Sequence, residues 1–424
     1  MIAKQMSEDI LGGSAIRAMF LEGKELADRI GSENVYDFSL GNPAAEVPPP
    51  YTKALEEVLK TEDPVSLHGY MDNAGYPAVR AAIAKHLNNR FGTDVMRDSI
   101  VNTRFGTDVM GDSIANARFG TVFTENHILM TVGAAGAINV ILKTLLDPGD
   151  EVAVFAPYFT EYRNYCRNWQ GVLTEVLPEP ESFLPDLADM EQKITKKTKA
   201  VIINNPVNPT GVVYGEETIV AITALLLGKQ EEYGHAIYLI SDEPYRELVY
   251  DGRKVPFLPH YYANTFVSYS FSKSLSVPGD RIGYIALSPE MENEKQVFAG
   301  LSIANRVIGF VNAPALMQKA VAQVLEEHTD VAFYDRNRRL LYDSLKGYGF
   351  TCVKPEGAFY LFVKSPDADT KKFIEKAKIY HILLVDGAAF SGAGYVRIAY
   401  CVPFERIQKS LSGFCALARE YQLS

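Results

Sequence analysis

The chain has 424 residues, of which 47% are hydrophobic and 22% charged, and its formal net charge is −10. This length can bury a large core in two or three domains, and the composition is ordinary for a soluble globular protein. The acidic balance argues against a nucleic-acid partner, because phosphate backbones bind basic surfaces. No stretch approaches the roughly 18 apolar residues that a membrane-spanning helix needs, so we expect no membrane partner.

The N-terminus and the cysteines indicate a reduced cytoplasm. The opening residues, MIAKQMSEDILGG, lack the apolar core of a secretory signal. The four cysteines (Cys166, Cys352, Cys401 and Cys415) stand far apart, without the spacing of a metal site. We therefore predict buried thiols rather than a disulfide framework, a cytoplasmic location and no metal ion.

Hydrophobic spacing predicts the elements in chain order. A helix is expected over residues 14–30, with Gly31 as its stop, followed by a short strand in VYDFSLG. Apolar strands then alternate with glycine-bearing turns and helices up to about residue 300: EVAVFAP, AVIINNP, AIYLISDEP, TFVSYSFS and IGYIAL. This alternation indicates an α/β fold with a mostly parallel sheet between helices. A long helical stretch, the strands GAFYLFV and YVRIAY, and a closing helix over about 403–421 predict a smaller α+β unit.

One segment is a tandem duplication. RFGTDVMRDSIVNT (90–103) is followed by RFGTDVMGDSIANA (104–117), and the two copies agree at 11 of 14 positions. A third stretch, residues 118–131, shares only the opening RFGT and then becomes strand-like. Too few copies are present for a solenoid, and loops tolerate insertions cheaply. We expect the duplicated residues 90–117 to lie away from the chemistry.

Polar motifs follow several predicted strands, where ligands collect in open α/β sheets. TVGAAGAIN (131–139) is a glycine-rich turn that opens a helix, and backbone N–H groups there bind phosphate. A dinucleotide site is the rival interpretation, but the sequence has no G-x-G-x-x-G. NNPVNPTG fixes Asn208 at a strand end, and SDEPYREL places Asp242 at another. Each of these residues could instead cap a helix, although a buried aspartate favours a cationic partner.

The stretch SFSKSLSVPGDRIGY (270–284) sets Lys273 among serines and places Arg281 eight residues later. It could be a polar surface loop. Alternatively, the lysine binds a carbonyl cofactor whose phosphate is held by the arginine, because the guanidinium fork suits phosphate.

Taken in order, these motifs resemble the fold-type-I pyridoxal-phosphate enzymes, specifically the class I/II aminotransferases of the aspartate aminotransferase-like group. The resemblance extends from about residue 35 to 421. It implies a large domain with a mostly parallel seven-stranded sheet flanked by helices, and a smaller α+β domain built from both chain ends. We expect residues 1–50 to join the small domain, 51–305 to form the large cofactor-binding domain and 306–424 to form the C-terminal small domain.

The resemblance also implies roles for individual residues. Lys273 would bind pyridoxal 5′-phosphate covalently and transfer a proton, and Asp242 would pair with the ring nitrogen. Asn208 and Tyr245 would contact the phenolic oxygen of the ring. Phe159, rather than its neighbour Tyr158, would stack on the ring.

Further positions are implied for the phosphate and the substrate. The phosphate would be held by the glycine-rich turn, the serines and the arginine: Gly133, Ala134, Ala135, Ser270, Ser272 and Arg281. Arg397 and Gly41, together with Asn208, would bind the substrate α-carboxylate. Tyr70 would reach the phosphate of a neighbouring subunit, so the resemblance implies a homodimer with shared active sites. Arg306 lies in the region of a second arginine for side-chain carboxylates, but its spacing looks one residue too long.

These implications predict a transaminase that moves an amino group from an L-amino acid to a 2-oxo acid in two half-reactions. A pyridoxal-phosphate-dependent C–S β-lyase is the first alternative, because the same site serves both reactions. A cofactor-binding regulator without turnover is the second. Dicarboxylic, aromatic and aliphatic substrates all remain open.

Overall fold

The structure is a computed structural model that describes residues 2–4, 6–7, 10, 15–92 and 121–423. Its strands are β1 (Tyr36–Asp37), β2 (Ile128–Thr131), β3 (Glu151–Phe155), β4 (Val172–Val176), β5 (Thr198–Asn204), β6 (Tyr238–Asp242), β7 (Thr265–Ser270), β8 (Gly283–Leu287), β9 (Tyr360–Lys364), β10 (Ile382–Leu383), β11 (Val385–Asp386) and β12 (Tyr395–Ala399). Its α-helices are α1 (Ala15–Ile30), α2 (Pro49–Thr61), α3 (Pro64–His68), α4 (Pro77–Phe91), α5 (Gly133–Leu145), α6 (Glu161–Asn168), α7 (Leu187–Lys193), α8 (Glu216–Tyr233), α9 (Phe271–Ser274), α10 (Glu294–Val307), α11 (Ala315–Val321), α12 (Val331–Gly347), α13 (Thr370–Ile379) and α14 (Phe404–Glu420).

The large domain is built on a seven-stranded sheet in the order β2-β8-β7-β6-β5-β3-β4. Strands β4, β3, β5, β6 and β7 pair in parallel, whereas β8 runs antiparallel to β7 and β2. Side chains alternate between the two faces: Val152 and Val154 pack with α5 on one face, and Ala153 and Phe155 pack with α8 on the other. The predicted mostly parallel sheet between helices is confirmed.

The small domain is built from both ends of the chain. Strand β12 pairs antiparallel with β9 and β11, and β1 pairs in parallel with β10, with Tyr36 opposite Ile382. Phe38 lies in the same hydrophobic core as Phe414 of α14 and Leu341 of α12. The α/β fold class with a second α+β domain is therefore confirmed.

Several elements differ from the sequence-based prediction. The long helical stretch after residue 300 is interrupted between α10 and α11, where Gly309 adopts a φ of 100° and Pro314 precedes α11. Strand β4 was not predicted, because its residues VLTEV are half-exposed at the sheet edge and form no apolar run.

The helix ending at Ile30 is as predicted, since Gly31 follows it with a φ of 90°.

The cysteine prediction is wrong for one residue. Cys166, Cys352 and Cys401 are buried and free, but Cys415 is partly exposed. Its helix, α14, lies at the surface of the small domain, so its inner face alone is covered.

The duplicated segment lies outside the described residues except for residues 90–92. Arg90 donates 2.8 Å and 3.3 Å hydrogen bonds to Glu247, and Phe91 stacks on Phe257 with ring centroids 4.1 Å apart. The end of α4 is thus anchored to the large domain. Within the described part of the chain, every helix is too short or too polar to cross a bilayer.

Candidate active site

The site lies at the carboxyl ends of neighbouring parallel strands. Asn204 ends β5, Asp242 ends β6 and Ser270 ends β7, which is followed directly by α9 carrying Lys273. Because parallel strands finish at the same edge of a sheet, their terminal side chains converge there. Arg397 of β12 joins this edge from the small domain by donating a 3.1 Å hydrogen bond to Asn208 Oδ1.

Asp242 is a buried carboxyl with one oxygen free. Its Oδ2 accepts a short hydrogen bond from the Tyr162 hydroxyl and a 3.4 Å bond from Asn204, whereas its Oδ1 has no partner. The pKa of Asp242 is raised to about 7, mainly by burial and also by the adjacent charge of Glu243, whereas the hydroxyls of Tyr162 and Ser268 act to lower it. A buried carboxylate oxygen without a partner is costly, so this atom is prepared for a cation or an N–H donor.

Lys273 is a lysine whose charged form is disfavoured. Its Nζ donates a 2.7 Å hydrogen bond to the carbonyl oxygen of Gly41 and lies 5.4 Å from the ring centroid of Phe359. Burial lowers its pKa to about 8, and the guanidinium groups of Arg281 and Arg397 act in the same direction. A lysine of this kind is partly neutral near physiological pH and can act as a nucleophile or a base.

Arg397 is a buried guanidinium with no acidic partner. It is 2% exposed, and its Nη2 donates a 2.6 Å hydrogen bond to the Ser39 carbonyl. Its Cζ lies 4.5 Å from the ring centroid of Tyr360 and 4.6 Å from that of Phe390, while its Nε has no partner. Among the described residues, no carboxylate lies within salt-bridge distance of it. A buried cation that is only partly bonded is suited to bind an anionic ligand.

Two tyrosines and a glycine form the wall between Lys273 and Arg397. The hydroxyls of Tyr245 and Tyr360 lie 2.9 Å apart in a hydrogen bond. A Cβ atom at Gly41 would overlap the Tyr360 hydroxyl. Only glycine therefore allows this backbone to approach the ring so closely.

The residues predicted to hold a phosphate gather at the N-terminus of α5. Gly133 opens this helix with a φ of 76°, and a Cβ there would lie 2.9 Å from Nη2 of Arg281. Arg281 itself donates a 3.1 Å bond to the Val132 carbonyl. The Ser268 hydroxyl donates a 3.4 Å bond to the carbonyl oxygen of Ala134, which joins β7 to this turn. Helix N-termini attract anions, and an arginine beside one strengthens that preference.

The serines lie next to the same turn. Ser270 pairs across the sheet with Gly283. A Cβ added to Gly283 would lie 3.0 Å from the Cα of Gly133, so the two backbones are close together. The Ser270 hydroxyl donates a 2.9 Å bond to Ser272 Oγ, and both side chains are buried. Ala135 follows Ala134 in the first turn of α5.

Phe159 and Tyr158 both contact Tyr162, the partner of Asp242. The ring of Phe159 meets Tyr162 edge to face with centroids 5.6 Å apart, and the ring of Tyr158 stacks on it with centroids 6.4 Å apart. The two residues differ in that the Tyr158 hydroxyl donates a 2.6 Å bond to Glu175, a polar contact that Phe159 cannot make.

Two predicted residues are not brought to the site within one chain. Tyr70 is 96% exposed, in the loop between α3 and α4. Arg306 is exposed in the last turn of α10.

Tyr162, Asn204 and Tyr360 also lie at the site, but they were not predicted from the sequence. Asn204 lies in the quoted NNPVNPTG motif, where its Oδ1 accepts a 2.8 Å bond from the Asn208 backbone. Tyr162 lies in the first turn of α6, and its backbone N–H donates a 3.1 Å bond to the carbonyl oxygen of Phe159, which precedes the helix. Tyr360 follows PEGAF, and only the pairing of β9 with β12 brings it beside Arg397.

The unpaired groups fit a flat cationic ring that carries an anion. The free Oδ1 of Asp242 suits a protonated ring nitrogen, and the turn at Gly133 with Arg281 suits a phosphate. Lys273 is the amine that a carbonyl on such a ring would require.

Comparison with known proteins gives the family. The sequence model for aminotransferase class I and II matches residues 33–413. A probable aspartate aminotransferase of Methanocaldococcus jannaschii is 29% identical, and the match covers 94% of this chain and 95% of that protein. The aspartate/prephenate aminotransferase of Thermus thermophilus is 33% identical over 69% of this chain and 75% of its own length.

Solved structures agree with the sequence match. The crystal structure of an amino transferase from Eubacterium rectale is 40% identical, covers 99% of both chains and gives a TM-score of 0.89. The Thermus thermophilus aspartate aminotransferase with maleate is 26% identical, covers 96% of this chain and 97% of that one, and gives a TM-score of 0.78. The chain belongs to the class I and II aminotransferases and is a transaminase.

Proposed function

We propose that this transaminase works with pyridoxal 5′-phosphate bound at Lys273 and transfers the amino group of an L-amino acid to a 2-oxo acid. The observation that carries the proposal is Arg397, a buried cation with no acidic partner among the described residues, which lies in the same site as a lysine of lowered pKa. Every α-amino acid and 2-oxo acid carries a carboxylate that could serve as the anionic partner of this guanidinium. When bound, the cofactor supplies an electron sink for the bonds at the substrate α-carbon.

The residues of the chain have distinct roles in this proposal. Asp242 holds a proton on the ring nitrogen through its free Oδ1, and Tyr162 keeps its other oxygen in place. Asn208 and Tyr245 bind the phenolic oxygen. Lys273, whose amine is partly neutral, would take the proton from the substrate α-carbon as general base and, as general acid, return it to the cofactor carbon on the other side of the transferred nitrogen.

The remaining residues hold the ligands in register. Phe159 packs on the ring face. The phosphate is bound by a set of residues around the N-terminus of α5: Gly133, Ala134, Ala135, Ser270, Ser272 and Arg281. The substrate carboxylate binds Arg397 in two parallel hydrogen bonds, and Gly41 and Asn208 line the same place.

The proposed assembly is a homodimer in the cytoplasm. Tyr70 is free to take part in it, because its side chain is 96% exposed on the loop between α3 and α4. In this arrangement Tyr70 reaches the phosphate of the partner subunit, so each active site needs both chains. We also propose the division into residues 1–50, 51–305 and 306–424, which the pairing of β1 with β10 supports.

The names of the relatives indicate amino acids as substrates but differ in the side chain that is accepted. Several of them are named as aspartate aminotransferases, and one from Thermococcus litoralis as an aromatic-amino-acid aminotransferase. We propose a common α-carboxylate site at Arg397 for whichever side chain is accepted.

A panel of L-amino acids tests the proposal. Each is added to the purified, cofactor-loaded protein while its visible absorbance is recorded. One or more donors should bleach the band, and a 2-oxo acid should restore it. Pyruvate and ammonia released from a cysteine conjugate without this cycle would establish the lyase reaction instead, and a protein that never takes up the cofactor would overturn the proposal.

A further inference from the structure

A polar cluster connects the two domains behind Arg397. We propose that Tyr158, Arg163, Glu175 and Ser391, here called the interdomain latch, position Phe390 against the guanidinium of Arg397 and thereby set the affinity of the site for substrate carboxylates. The inference rests on the proposed function, which gives Arg397 to the substrate carboxylate.

Glu175 is the centre of the latch. Its Oε1 accepts hydrogen bonds from the Tyr158 hydroxyl (2.6 Å), from Nη2 of Arg163 (2.9 Å) and from Oγ of Ser391 (3.1 Å). Glu175 lies on β4 and Arg163 on α6, both in the large domain, whereas Ser391 follows β11 in the small domain. One carboxylate oxygen therefore joins both domains.

The carboxylate at this centre stays charged at neutral pH. Partial burial alone would raise its pKa, but the hydrogen bonds from Tyr158, Arg163 and Ser391 hold the pKa of Glu175 below its usual value. Hydrogen bonds to a charged acceptor are stronger than those between neutral groups, so three of them make a specific junction.

The latch is connected directly to the substrate site through Phe390. The backbone N–H of Tyr158 donates a 3.0 Å bond to the carbonyl oxygen of Phe390, the residue before Ser391. Phe390 is fully buried, and its ring centroid lies 4.6 Å from Cζ of Arg397. Moving Ser391 must therefore move the ring that covers the guanidinium.

Ser391 ends the short turn of residues 387–390 that carries Phe390. It adopts a left-handed φ of 59°, and its backbone N–H donates to the carbonyl oxygens of Gly387 and Ala388, as at many helix ends. The side chain of Ser391 therefore ties this capped turn to groups of the other domain. Without the latch, we expect Phe390 to relax away from Arg397, and the guanidinium then loses one of the two aromatic faces that help to orient it for bidentate binding.

The test uses Ser391→Ala and Glu175→Gln in the cofactor-loaded enzyme, with KM and kcat measured for several amino donors and 2-oxo acids. We expect KM to rise about threefold in Ser391→Ala and about tenfold in Glu175→Gln, by the same factor for every substrate, with kcat and the cofactor absorbance unchanged. Ser412→Ala is the control, since this hydroxyl is exposed on the outer face of α14 and donates a 3.3 Å bond to the Lys409 carbonyl of the same helix.

Salt gives a second readout that a general loss of structure would not produce. The side chains of Arg163 and Glu175 are 57% and 35% exposed, so mobile ions screen their attraction. Raising the salt from about 0.05 M to about 0.5 M should therefore raise the KM of the unaltered enzyme more than that of Glu175→Gln.

The variant Arg397→Lys distinguishes a failure of the latch inference from a failure of the proposed carboxylate role of Arg397. If KM rises in Arg397→Lys but not in either latch variant, the latch inference is overturned and the proposed function stands. If KM does not rise in Arg397→Lys, the carboxylate role of Arg397 fails. Latch variants that lower kcat or lose the cofactor at unchanged KM would also overturn the inference, and Ser391→Ala decides the matter if Glu175→Gln does not fold.

Discussion

The side chain of Lys273 is tied to the backbone of Gly41, with 2.7 Å between Nζ and the carbonyl oxygen. Two residues earlier, the carbonyl of Ser39 accepts a 2.6 Å bond from Arg397. Residues 39–41 thus contact both the lysine and the arginine of the site. This segment of the small domain fixes the distance between the group proposed for chemistry and the group proposed for substrate binding.

Gly41→Ala should weaken substrate binding. The added Cβ would overlap the Tyr360 hydroxyl, so either the segment or the ring beside Arg397 must move. We expect KM for amino donors and 2-oxo acids to rise about tenfold while the protein still takes up cofactor. Gly215→Ala is the control, because a Cβ there meets nothing within 4 Å. An unchanged KM would show that the close approach has no part in binding.

Cofactor uptake should depend on pH through Lys273. Burial lowers its pKa from 10.5 to about 8. Below that pH the amine is protonated and cannot attack a carbonyl, so uptake should be slow, and above it the neutral amine predominates and the rate should level off. Stopped-flow absorbance of cofactor-free protein mixed with pyridoxal phosphate measures this. A midpoint near 10.5 would mean that the surroundings of Lys273 do not favour its neutral form.

Lys273→Ala should abolish transamination because it removes the nucleophile and the proton carrier together. The phosphate contacts proposed at Arg281 and Gly133 would remain, so the variant should still bind cofactor without a covalent bond. Equilibrium dialysis and steady-state turnover measure the two effects separately. Full activity in this variant would remove Lys273 from the mechanism.

Tyr162→Phe should weaken cofactor binding through Asp242. The variant loses a hydrogen bond to a buried carboxylate, which is worth about 1.5–3 kcal/mol, or about tenfold to a hundredfold in the cofactor dissociation constant. Tyr262→Phe is the matched control: it also loses one buried hydroxyl bond, of 2.7 Å to the Ile237 carbonyl, but far from the site. If both variants changed the cofactor dissociation constant equally, Tyr162 would affect binding only through the stability of the fold and not through Asp242.

Apolar runs in the sequence locate the candidate residues that lie at or just after strand ends. Asp242 ends β6, and Asn208 and Lys273 follow the ends of β5 and β7 within four residues, so the parallel strands bring these three positions to one edge of the sheet. The same patterns defined the two domains. They could not define β4, whose alternating half-exposed residues give no apolar run.

Contacts between separate elements could not be predicted from local patterns. The bond from Tyr162 to Asp242 depends on how α6 lies against β6, and the ring of Phe390 meets Arg397 only once the turn after β11 is placed. Ser391 reaches Glu175 across the domain boundary, over more than 200 positions of sequence. Such pairs are set by packing and register, which one sequence without its relatives does not reveal.

Removing residues 93–120 should leave an active enzyme. The Asn88 side chain joins the two flanks, since it donates a 2.8 Å bond to the Phe123 carbonyl and accepts a 2.8 Å bond from the Phe123 N–H. Gly92 also bonds to the Asn88 carbonyl at 2.7 Å, so both ends of the deletion are held close together. Because RFG precedes both Thr93 and Thr121, the shortened chain keeps Arg90 and Phe91 in their contacts with Glu247 and Phe257.

The deletion shortens the stretch of chain between these fixed flanks, and less entropy is lost when a shorter stretch is closed. We expect a gain of about 1 kcal/mol in stability, seen as an equal or higher midpoint of thermal unfolding, with kcat and KM within about twofold of the full chain. Arg90→Ala in the shortened chain is the counter-test, because it breaks the ion pair with Glu247 that anchors α4, and it should lower the midpoint. Loss of activity in the deletion variant with an unchanged midpoint would mean that the duplicated residues contribute to the active site of the assembled enzyme.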